Sequence, residues 1–174
     1  MKKICLMLIT VMLLTFSACS SEQRIGYQNL SDNLREYSEN YAFEYTDMFI
    51  SEHTYQTYLS LSSENDVLLS MRLDEKGNID GITVIAHKNK ISTNAEKEAL
   101  QNFLSAIIDC YTDLSAKEYK ELREKLSYNN TSEYFSNLYE KYSSKRNHFV
   151  FSSNSEFVFF DCEYYEAIET TSEK

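Results

Sequence analysis

The chain has no tryptophan and no proline, and only three glycines and three histidines in 174 residues. Glycines at 26, 77 and 81 cannot supply either glycine-rich loop that cradles phosphates, so a dinucleotide fingerprint and a P-loop are both excluded. Serine is abundant, yet neither a Gly-x-Ser-x-Gly elbow nor a Ser-x-x-Lys motif accompanies it. Positive charge is also scarce, with 17 Lys and Arg against 27 Asp and Glu and a net charge of −10. Such a surface repels phosphate backbones, so no nucleic-acid partner is expected. His53, His87 and His148 follow no metal-ligand spacing and no Cys/His cluster occurs, so neither a metal nor another cofactor is expected. Beyond residue 16, no run is apolar enough to span a bilayer.

What is present begins at the N-terminus. Lys2 and Lys3 are followed by an apolar run from Ile4 to Phe16, broken only by Thr10 and Thr15. That run is shorter than the ~20 residues a spanning helix needs, and it suits the apolar core of an export signal. Phe16-Ser17-Ala18-Cys19 follows at once. These residues resemble the lipobox of bacterial lipoproteins, in which small residues precede an obligatory cysteine. The resemblance covers residues 1–19. It implies diacylglycerol transfer to the Cys19 thiol and signal cleavage between Ala18 and Cys19. A cysteine is needed because a thiolate accepts the lipid. The small neighbours let the peptidase hold the chain extended. Two acyl chains anchor firmly where one binds reversibly. The implied location is the outer face of a cell membrane, lipid-anchored, with membrane lipid as first partner.

The organisation read from the chain is a signal peptide over 1–18, a polar tether over 19–28, a single domain over 29–166 and a disordered tail over 167–174. Cleavage removes two lysines and no acid, leaving the mature part at −12. Fourteen tyrosines and ten phenylalanines supply side chains that suit recognition surfaces, although the Tyr, Asn, Lys, Ile and Ser richness also matches an AT-rich genome. In its overall pattern the body resembles small lipoproteins of low-GC Gram-positive bacteria.

Within the domain, Leu30, Leu34, Tyr37 and Tyr41 have helical spacing, with Asn29 or Ser31 as cap. Strand character follows over Ala42–Met48, His53–Leu61, Asp66–Leu73 and Ile79–Ala86, with turn residues at 62–65 and 74–78. Three helices are expected next. Thr93 with Glu96 forms a capping box before Leu100, Phe103, Leu104, Ile107, Ile108 and Tyr111. Ser115 with Glu118, and Asn130 with Glu133, repeat that signature before Leu122 and Leu126 and before Phe135, Leu138 and Tyr142. Runs at His148–Phe151 and Glu156–Tyr164 close the pattern as a hairpin. The expected fold is α+β, an antiparallel sheet (meander plus C-terminal hairpin) packed on one face by about three helices.

Cys110 and Cys162 both point inward by periodicity. They form a disulfide, which would add about 4 kcal/mol by loop closure, or they remain two buried thiols. Asp109 and Asp113, four apart, read as a solvated helix face. No residue is assigned a catalytic role. The expected function is a non-catalytic domain contacting a protein or glycan near the membrane. The alternative is a small extracytoplasmic hydrolase whose site assembles only in the fold.

Overall fold

The computed structural model describes residues 26–40, 44–45, 49–51, 53–60, 65–128, 130, 136 and 138–164. Residues 1–25, Cys19 among them, and the tail 167–174 lie outside that set. Helix α1 spans Tyr27–Asn40, so it begins two residues inside the stretch expected as tether. Asn29 and Ser31, the expected caps, fall within it. The helix starts early because Gly26 pairs with Asn78 and its carbonyl accepts the Leu30 N–H at 3.2 Å, which fixes the first turn. Leu30 and Leu34 are fully buried, as their spacing requires.

The strands are β1 (Glu44–Tyr45), β2 (Phe49–Ser51), β3 (Thr54–Ser60), β4 (Asn65–Leu73), β5 (Ile79–His87), β6 (Tyr139–Ser143), β7 (Asn147–Ser153) and β8 (Phe157–Tyr164). Between β5 and β6 lie a 3₁₀ turn at Lys88–Lys90 and helices α2 (Asn94–Tyr111) and α3 (Ala116–Leu126). The described strands form one antiparallel sheet in the order β1-β3-β4-β5-β8-β7-β6, with β2 also on β3. The meander β3-β4-β5 and the hairpin β7-β8 meet where β8 returns beside β5, and the fold is α+β.

One sheet face carries the core. Val67, Leu69 and Met71 on β4 sit in register with Ala86, Val84 and Ile82 on β5. Those in turn face Val158, Phe160 and Cys162 on β8, and all nine are buried. Phe149 and Phe151 on β7 extend the row. Leu100, Phe103, Leu104, Ile107 and Ile108 of α2 and Leu122 and Leu126 of α3 belong to the same buried cluster. The Tyr128 ring meets Phe160 edge-on at 6.5 Å, and the Tyr111 hydroxyl donates to the Ile79 carbonyl at 3.4 Å. Each such side chain adds about 1.5–3 kcal/mol on burial, so this face dominates stability.

Both expected capping boxes at α2 and α3 form. Thr93 Oγ1 accepts the Glu96 N–H at 3.2 Å, and Glu96 Oε2 accepts the Thr93 N–H at 2.9 Å. Ser115 and Glu118 exchange the same bonds at 3.3 and 3.0 Å. The third expected helix is a correction: Tyr139–Ser143 is strand β6, not the end of a helix from Asn130. Leu138 and Tyr142 fit a helical period, but Glu140 and Tyr142 also alternate with exposed Tyr139, Lys141 and Ser143. Pairing with β7 decides between the two. The Ser153 N–H donates to the Leu138 carbonyl at 2.8 Å, which also carries β7 past Phe151 into the expected turn.

Removing the Thr93 hydroxyl (Thr93→Ala) should cost about 1 kcal/mol in a denaturant melt. The backbone amide of Thr93 leads the hydrogen bonds that hold the Glu96 carboxyl below its ordinary 4.5. Its stabilisation is therefore complete above pH 4.5 and is lost as pH falls below that value. The stability gap between wild type and Glu96→Gln should accordingly shrink in acid melts.

Candidate functional site

The second sheet face is built from the alternate residues of the same strands. Leu68, Ile85, Val150, Phe157 and Phe159 are half-buried there, outside the core cluster. Register arranges the face in three cross-strand rows. The first runs Leu68, Ile85, Phe159, Ser152 and Tyr139, and Tyr139 is 66 % exposed. The second runs Ser70, Thr83, Asp161, Val150 and Lys141, and the third runs Arg72, Gly81, Glu163, His148 and Ser143. The face thus grades from apolar and aromatic at one end to charged at the other.

At the apolar end, the Phe157 ring touches both His87 at 4.7 Å and Phe159 at 5.9 Å between centroids. His87 is held there because its Nδ1 accepts the Asn89 N–H at 3.4 Å, where the 3₁₀ turn begins. In the middle row, Thr83 Oγ1 donates to Asp161 Oδ1 at 2.7 Å. Partial burial pushes the Asp161 carboxyl above its ordinary value, opposed in part by the Thr83 bond and reinforced by Glu163. At the charged end, Arg72 lies across β5 to reach Asp80 with Nε and Glu163 with Nη2, each at 3.4 Å. Glycine at 81 leaves room for that path, since a Cβ there would stand 2.9 Å from Arg72 Nη2 and the guanidinium would have to shift. Beside this cluster, Ser143 Oγ and His148 Nδ1 are 2.8 Å apart.

The sequence candidates distribute as follows. Cys19 and Ala18 lie outside the described residues. Cys110 and Cys162 are both buried free thiols, so the disulfide reading is not the one the structure adopts. Burial pushes the Cys110 thiol up to about 11, with Asp109 and Glu36 adding to it, and burial raises the Cys162 thiol further from ionisation. Neither presents a thiolate nucleophile at neutral pH. The histidines are not brought together. His87 ends β5 at one end of the sheet, whereas His53 and His148 sit at the other, about 19 Å apart across four strand spacings. Among the described residues, no group of three His, Cys, Asp or Glu side chains is placed to hold a metal ion.

Asp109 and Asp113 do not share a helix face, which corrects that reading. Helix α2 ends at Tyr111 because Thr112 turns extended, at φ −119° and ψ 158°, while its N–H and Oγ1 still donate to the Ile108 carbonyl at 3.1 and 2.7 Å. Asp113 instead accepts from Arg146 at 2.7 Å, joining the end of α2 to the β6–β7 turn. The Arg72–Gly81–Glu163 crossing and the Ser143–His148 pair were not read from the sequence. Their partners come from strands far apart in the chain. The local signal was only the polar alternation opposite each buried position.

The chain matches no family model, no curated protein and no solved structure. Arg72→Ala should cost about 0.5–1 kcal/mol in the native background, as exposed ion pairs do. In a Gly81→Ala background the guanidinium must shift, so the same change should cost less. A double-mutant cycle in urea measures that coupling. Asp161 gives a pH prediction of opposite sign to Glu96. Its raised pKa means the charged form is disfavoured in the fold, so its favourable contribution is present below the ordinary 3.8 and fades as pH rises through the folded value. Asp161→Asn should therefore raise the melting temperature at pH 7 more than at pH 3.5.

Proposed function

We propose that the protein is a bacterial lipoprotein, anchored through diacylglycerol on Cys19 to the outer face of the cell membrane. Its domain is a non-catalytic binding module for a protein or glycan near that membrane. The observation that carries the anchoring is the order basic start, apolar core, then Phe16-Ser17-Ala18-Cys19. The open sheet face supports the binding reading. It offers half-buried aromatic rings for contact area beside carboxylates, hydroxyls and a guanidinium for direction, the mixture that recognition surfaces use. The acidic balance of the chain favours a partner that is not itself strongly acidic.

A hydrolase is the second reading, and the Ser143–His148 contact is what favours it. A serine nucleophile needs a base held by a third group. Glu163 is the cross-strand neighbour of His148, but its carboxylate bonds Arg72 at 3.4 Å rather than the imidazole. Ser143 is exposed on the edge strand β6. Binding is therefore the stronger reading. Should the protein cleave short-chain esters, Ser143→Ala would abolish that cleavage under the hydrolase reading and leave it unchanged under ours.

Replacing the anchoring sulfur (Cys19→Ser) tests the main proposal. The wild type should incorporate labelled palmitate and pellet with membranes. The variant should incorporate none, and should either keep its signal peptide or appear in the medium. A variant that is trimmed and still membrane-bound would overturn the proposal.

A further inference from the structure

The described chain enters the domain at one end of the sheet, at Gly26. Gly26 pairs with Asn78, and Asn78 closes the β4–β5 turn. That turn is stiff. Asp74 Oδ1 accepts the N–H groups of Lys76 at 2.8 Å and Asn78 at 2.9 Å. The Asp74 N–H donates to the Asn78 carbonyl at 2.8 Å, and Gly77 takes the left-handed conformation the turn demands, at φ 80°. Whatever path residues 20–25 take, seven Cα steps from Cys19 reach at most about 25 Å.

Register shows what shares that end. Leu73 pairs with Ile79, Gly81 with Glu163, and Asn147 with Tyr164. The β6–β7 turn at 144–146 and the α2–α3 connection lie there too, tied by the Arg146–Asp113 bond. The opposite end carries His87 paired with Phe157, and the Lys88 N–H bonded to the Glu156 carbonyl at 2.8 Å. Strand β4 has nine residues, so the two ends stand roughly 30 Å apart.

We infer that the protein meets the lipid headgroup surface through the end that carries its β4–β5 and β6–β7 turns, and not through the His87–Phe157–Phe159 cluster at the opposite end. The inference rests on the lipid anchor proposed above. Length carries it, since the attachment point on the fold and the span to the acylated residue are both set covalently. Turning the far end down would lift Gly26 about 30 Å above the headgroups, farther than the ~25 Å that seven Cα steps can span. The open face then rises from the headgroups with its charged row low and its aromatic row high, where an extracellular polymer meets it first.

The test uses the full mature lipoprotein in phosphatidylglycerol–phosphatidylethanolamine vesicles doped with a headgroup nitroxide lipid. A fluorophore is placed through Lys76→Cys at the near end, or through Ser155→Cys at the far end. Both positions are exposed. Protein without an introduced cysteine gives the background from buried Cys110 and Cys162. Quenching should be about threefold or more stronger at 76 than at 155, because the ends differ by ~30 Å in height. Equal or stronger quenching at 155 in samples that float with the vesicles would overturn the orientation alone. Samples that fail to float would overturn the anchor and the orientation together, so the two failures are distinguishable.

Discussion

The structure depends on one constraint, the alternation of side chains along β4, β5, β7 and β8, broken where the β4–β5 register shifts between Arg72 and Leu73. Strand residues two apart share a face, so burying Val67, Leu69 and Met71 commits Leu68, Ser70 and Arg72 to the other side. Register then propagates that commitment through four strands, from Leu69 to Val84 to Phe160 to Phe151. Helices α2 and α3 close the apolar side, and a slip of one residue in any of these strands would expose the core. The open face is thus a consequence of the covered one. Its three rows exist because the same register that stacks the core also lines up Thr83 with Asp161 and Arg72 with Glu163.

The polar groups on that open face hold one another in place. Thr83 orients the Asp161 carboxylate, Gly81 leaves room for Arg72 to lie across β5, and Ser143 binds the ring of His148. The aromatic end is different in kind, since the Phe157 ring meets His87 on one side and Phe159 on the other, and these half-buried rings lie outside the main core. A surface graded in this way can orient a ligand along its length, with apolar contact at one end and charge at the other. The buried thiols take no part. Cys110 and Cys162 fill space between helix and sheet as small apolar side chains.

Much of this was legible from residues near one another in sequence. The two capping boxes at Thr93 and Ser115 mark helix starts through bonds spanning three residues, so local spacing suffices. The alternation over residues 82–87 and in Phe157–Tyr164 shows which side chains turn inward, because period two needs no tertiary information. Strand β6 reads as helix in the sequence because Leu138 and Tyr142 satisfy either period, and only pairing with β7 separates them. The start of α1 is not visible locally because Gly26 is fixed by Asn78, fifty-two positions away. For the same reason the open face could not be composed in advance. Each of its rows joins residues from opposite halves of the chain, and no local pattern names the partners.

The proposed acylation of Cys19 is tested most directly by mass spectrometry of the N-terminal peptide of the protein purified from the membrane fraction of its own cells. The account predicts a peptide that begins at Cys19, with the mass of a thioether-linked diacylglycerol on that residue. A peptide that begins elsewhere, or one that carries Cys19 with a free thiol, would contradict it.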